Sequence, residues 1–114
     1  MYIGQNTPAG NRLKSCRQVE SPQDGCATSS HPGWDYNVSN HGTDDFHFSA
    51  IPAGSRGVEG AYSGLGMVNE RWTATEIGNV RAWARILLNE GNELLNDDGY
   101  MKKGISVRCI KNLE

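Results

Sequence analysis

Cys16, Cys26 and Cys109 carry the most reactive side chains in this sequence, and a thiol cross-links, binds a metal or attacks. Cys16 and Cys26 stand ten positions apart. Oxidised, they would close a short loop, which stabilises a fold by about 2–3 kcal/mol in the chain-entropy account. A reduced pair is the alternative, and the compartment decides between them. Zinc needs four ligands, and His31 and His41 do not stand at finger-like spacing from the pair. The pair therefore reads as a disulfide, with no metal. Cys109 as a nucleophile needs a base and a group that orients it. His31, His41 and His47 all lie far from it in sequence, and a buried strand cysteine is the plainer reading.

Trp34, Trp72 and Trp83 are the side chains a sugar binder would use, since a flat aromatic face stacks on pyranose C–H groups. Packing one strand on another is the plainer use of Trp72 and Trp83. Trp34, between Gly33 and Asp35 in a polar stretch, is expected to be the exposed one. Trp34 and Trp72 are the candidate ligand-binding residues. Asp44-Asp45 and Asn96-Asp97-Asp98-Gly99 offer carboxylates to calcium, which takes six to eight oxygens. Solvated turn acids account for them better, and no cofactor is assigned. The arginines lack the Gly-rich context that cradles phosphate.

A chain of 114 residues fits one domain. Its 11 basic and 13 acidic residues give a net charge of −2 with no long block of one sign. That balance leaves no footprint for a nucleic-acid backbone and no polybasic patch for an anionic membrane. No apolar run approaches the ~18 residues of a transmembrane helix, and no signal peptide is visible. An exported protein that has lost its targeting segment, or a piece of a longer one, would both start as abruptly as Met1-Tyr2-Ile3-Gly4.

The elements that would hold these side chains are unevenly distributed. Residues 1–45 are polar and punctuated by Pro8, Pro22 and Pro32, and read as a long irregular surface region with one short turn near Arg12-Leu13-Lys14. Residues 46–114 read as antiparallel strands. Phe46–Ile51 alternates and stops at Pro52, as a strand does. Met67–Thr75, centred on Trp72, is the next strand. Residues 79–90 suit both a strand and a helix, because Val80, Trp83, Ala84, Leu87 and Leu88 also form a helical stripe. Asn96–Gly99 is a turn signal, and the flanking Glu93-Leu94-Leu95 and Tyr100-Met101-Lys102 predict a short hairpin. Ile105, Val107 and Cys109 alternate along a terminal strand whose inward face needs partners on both sides.

Four blocks carry a resemblance: Ala9–Ser15, Gly42–Gly54, Trp72-Thr73-Ala74-Thr75-Glu76 and Gly104–Ile110. Together they resemble the Fibrobacter succinogenes major paralogous domain, a family abundant in Bacteroidetes and Fibrobacteres. The family has Gly-Phe where this chain has Gly104-Ile105, Leu-Pro-Gly-Gly where it has Ile51–Gly54, and paired aromatics at Arg71-Trp72. The family's front part, with its first strand, two helices and a Cys-Pro-x-Gly-Trp segment, has no counterpart here. The resemblance thus covers the C-terminal part of the domain, and residues 1–114 are expected to be a single partial domain.

What the resemblance implies is an α+β, strand-dominated, C-type-lectin-like fold with long irregular loops, lacking the N-terminal part of the domain. Family members alternate aromatic residues where this chain has Arg81–Asn89, which implies a strand there. The terminal strand would lack its usual neighbour, and Cys109 its disulfide partner. The implied function is a non-catalytic, exported module at the cell surface or outer membrane that binds an extracellular polysaccharide or protein in adhesion. A purely structural domain that displays its neighbours is the alternative. An enzyme is not expected, because no acid–base pair or metal site is visible.

Overall fold

The computed structural model describes residues 9–30 and 32–107. They form a small strand-dominated domain with almost no helix. A single helical turn, α1 (Gly10–Leu13), opens it, and its cap at Ala9 makes no side-chain hydrogen bond. The turn is held instead from outside: Gly10 N–H donates to the Asn92 carbonyl at 2.7 Å. A Cβ at Gly10 would lie 3.0 Å from the Glu93 carbonyl oxygen, so the close approach favours glycine.

Two short strands, β1 (Ser55–Arg56) and β2 (Tyr62–Ser63), pair as an antiparallel ribbon. The main sheet is antiparallel, ordered β3 (Val68–Ile77), β4 (Arg81–Leu88), β5 (Leu95–Tyr100). β3 bulges against β4 between Trp72 and Glu76. The expected strands over Met67–Thr75 and Arg81–Asn89 are thus present. Good helix formers in β4 yield to pairing on both of its edges, where the ladder outweighs a few tenths of a kcal/mol of propensity.

Phe46–Ile51 is not a strand. Asp44, His47 and Ser49 take left-handed φ angles of 50°, 54° and 55°. Asp44 causes this: its carboxylate accepts the Ser49 N–H at 2.7 Å and the Ser49 hydroxyl, and its carbonyl accepts the His47 N–H at 3.1 Å. Local turn chemistry overrides the alternation. The opposite error occurs at Asn96–Gly99, which is no turn but lies inside β5, paired residue by residue with Arg85–Ala82. Asp98 is drawn in by a 2.7 Å ion pair with Arg81, and Gly99 leaves space under the Trp72 ring. The hairpin expected around residues 96–99 is therefore absent.

Of the terminal apolar run, residues 108–110 lie outside the described residues. Upstream of them, Gly104 bonds twice to Arg56 at 2.7 Å, and Ser106 bridges Glu70 and Trp72 at 3.1 Å. The run finds a partner on each side, β1 and β3, yet through isolated bridges and not a full ladder.

The core consists of Leu13, Trp34, Ala50, Leu87 and Leu94, with Phe48 packed against it. Leu13 and Trp34 come from chain that the sequence assigns to irregular surface. Gln18, 1% exposed, bridges both Ala27 and Trp34 and so threads this region together. Cys16 and Cys26 form a disulfide with their Cα atoms 5.4 Å apart. It fastens the Gln18 segment beside Ala27, where Thr28 N–H donates to the Gln18 carbonyl at 2.9 Å.

Candidate functional site

Ala84 and Leu87 stand three residues apart on β4, so their side chains leave opposite faces of the sheet. Leu87, fully buried, faces the core and lies opposite Asn69. Ala84 and Ala82 are buried on the other face, where the cross-strand partner of Ala84 is Trp72. Small residues at 82, 84 and 99 make a shallow bed for the Trp72 indole, whose ring edge lies 3.4 Å from the site of a Gly99 Cβ. Trp72, half-buried, borders a depression of about 340 Å³ with Thr73, Glu76, Ala82 and Met101.

Met101 also lines a second cleft, of about 440 Å³, with Val58, Asn79, Val80, Tyr100 and Lys102. The two depressions meet at this methionine, at the end of the sheet where the β3–β4 turn and the end of β5 come together. Met101 N–H donates to the Val80 carbonyl at 2.8 Å, which fixes that junction. Arg81 lies 5.1 Å from the centroid of the Tyr100 ring, and its guanidinium is held by Asp98 at 2.7 Å. The ring is thus braced by its cross-strand neighbour. Val58, Val80 and Tyr100 are all more than half exposed. A concave apolar surface with Asn79, Glu76 and Lys102 at its margin suits an uncharged ligand with hydroxyl groups.

Trp34 is not the exposed tryptophan. It is 1% exposed, and its Nε1–H donates to the Ala50 carbonyl at 3.1 Å. A ring so enclosed offers no face to a ligand, and by the β4 geometry it lies across the sheet from Trp72. The two candidate tryptophans are therefore not brought together. Gly33 and Asp35 placed Trp34 in a polar context, but the backbone of that stretch pairs with Arg17–Val19 and carries the ring inward.

No family model, curated protein or solved structure matches this chain.

Lys14 has the most unusual ionisable side chain. It is 1% exposed, with no carboxylate against it among the described residues. Its Nζ donates to Asn11 Oδ1 at 2.8 Å, the Gly91 carbonyl at 2.9 Å and the Asn40 carbonyl at 3.2 Å, and it sits 5.2 Å from the Trp34 ring centroid. Burial lowers its pKa to about 8. All three donors are engaged, so the amine ties α1 to two loops and has no open approach for a substrate. The described residues hold no group of three or more His, Cys, Asp or Glu that could hold a metal ion. Cys109 and His31 lie outside the described residues.

Tyr100, Met101, Val58 and Val80 escaped the sequence reading. In one dimension an exposed apolar residue looks the same as a core residue; the pairing of β4 with β5 brings Val80 beside Tyr100 and Met101, and the fold sets Val58 against the same cleft.

Proposed function

We propose that this chain is a non-catalytic, exported cell-surface module that binds an extracellular polysaccharide through the end of its main sheet. It is the C-terminal part of a C-type-lectin-like domain of the Fibrobacter succinogenes major paralogous family. The observation that carries the binding reading is the Trp72 indole laid on Ala82, Ala84 and Gly99 beside the Tyr100–Met101 cleft. An aromatic platform next to a concavity is the geometry that stacks on a sugar ring, and the Glu76, Asn79 and Lys102 side chains supply hydrogen bonds at the rim. The Cys16–Cys26 disulfide supports export, because such bonds persist in oxidising compartments.

Affinity electrophoresis through gels containing plant or host polysaccharides tests this reading. The native chain is expected to be retarded by at least one polymer. Trp72→Ala and Tyr100→Ala should each abolish the retardation while circular dichroism stays native. Two folded variants that migrate like the native chain in the retarding gel would refute the site. No retardation by any polymer would favour the structural, displaying role instead.

A further inference from the structure

Asn37-Val38-Ser39 is an Asn-X-Ser tripeptide without proline at its centre, and no other asparagine of the chain has Ser or Thr two positions later. Such a tripeptide is the acceptor for N-linked sugar when its asparagine is reachable. We propose that Asn37 is an N-glycosylation site, modified by transfer of an oligosaccharide from a lipid diphosphate carrier.

The side chain is arranged for that transfer. Asn37 Oδ1 accepts the Ser39 N–H at 3.0 Å and the Asn40 N–H at 2.8 Å. The carboxamide nitrogen, Nδ2, has no hydrogen-bond partner among the described residues. A carboxamide nitrogen is a poor nucleophile because its lone pair is delocalised onto oxygen. As it loses a proton, negative charge grows on Oδ1, where two fixed N–H donors already point, as in an oxyanion hole. The backbone behind it is anchored: the Asn37 carbonyl accepts Gln18 Nε2–H at 3.1 Å. In front of it the chain is open, with Val38 72% exposed and Ser39 exposed as well.

The transfer balances without any oxidant. Nδ2 bonds to the anomeric carbon of the sugar as the bond from that carbon to the diphosphate oxygen breaks. The lipid diphosphate leaves with the electron pair, and the Nδ2 proton passes to a base of the transferase. The attached glycan would cover the exposed Tyr36 and Val38 side chains. This loop is separate from the Trp72 cleft, so the inference does not depend on ligand binding there.

The test is secretion of the chain from yeast behind an added leader, which makes the result independent of natural export, followed by intact-mass measurement. The native chain should carry whole-glycan mass increments, removable by an amidase that leaves a carboxylate at position 37. Ser39→Ala keeps both N–H donors to Oδ1 yet removes the motif, and should abolish the increments, as should N37Q. Ser39→Thr should restore them. A secreted, folded native chain at its unmodified mass, or increments that survive in Ser39→Ala, would overturn the assignment.

Discussion

Trp34 illustrates how a residue in polar company becomes the centre of a core. Its ring is enclosed by Leu13, Ala50, Leu87 and Leu94, and its indole N–H is satisfied by a carbonyl. Trp34→Ala is expected to cost about 3–5 kcal/mol, read as a fall in urea midpoint, because a large cavity opens in the core while the Ala50 carbonyl keeps only the Ser15 N–H. Lys14 gives the residue scale its pH dependence. Its pKa falls from 10.5 in the unfolded chain to about 8 in the fold through burial. Between these values the unfolded chain holds a proton that the fold has released, so stability rises with pH there; below about 8 both states are protonated and the penalty is constant. The stability difference between the native chain and Lys14→Met should therefore grow in favour of the native chain from pH 8 to 10.5. A flat difference in urea titrations across that range would contradict the burial of this amine.

At the scale of elements, the disulfide and the close backbone approaches do the holding that regular structure does elsewhere. Replacing both Cys16 and Cys26 by serine should lower stability by about 2–3 kcal/mol, checked by urea unfolding of the double variant. Gly42→Ala should be worse placed than a typical surface change, since the added Cβ would run into the Ser15 carbonyl oxygen. A loss of at least about 2 kcal/mol in the same assay is expected. The elements were unequally legible in the sequence. β3 is announced by its Thr and Trp content, whereas β4 suits strand and helix alike and reads as a strand only through the family resemblance. The helical stripe seen in β4 has a physical origin: the strand is covered on one face at Leu87 and on the other at Ala82 and Ala84, so its buried residues do not keep a single parity. β5 was hidden because Asn96-Asp97-Asp98-Gly99 are turn formers, and only Arg81 and Trp72, distant in sequence, reveal why they stay extended. Phe46–Ile51 misled in the other direction, since one short carboxylate at Asp44 reshaped the whole stretch.

At the scale of the molecule, the main sheet separates two environments. One face meets the core to which the N-terminal region contributes Leu13 and Trp34, and the other carries Trp72, with the Met101 junction at the sheet's end. Of the candidate site, Trp72 was legible from its type and its strand, whereas the cleft beside it was not, because Val58, Val80 and Tyr100 come from three separate turns and strand ends. Ligands are expected to meet the Trp72 face and leave Trp34 untouched. The chain has 3 tryptophans, so a proton–nitrogen correlation spectrum carries a distinguishable indole signal for each. The most direct measurement follows those signals, assigned by single Trp→Phe variants, as an oligosaccharide cut from the retarding polymer is added. The Trp72 indole signal should move in a saturable way while that of Trp34, bonded to the Ala50 carbonyl, stays fixed and exchanges slowly with solvent. Movement of the Trp34 signal, or an unmoved Trp72 signal at saturating ligand, would contradict the account.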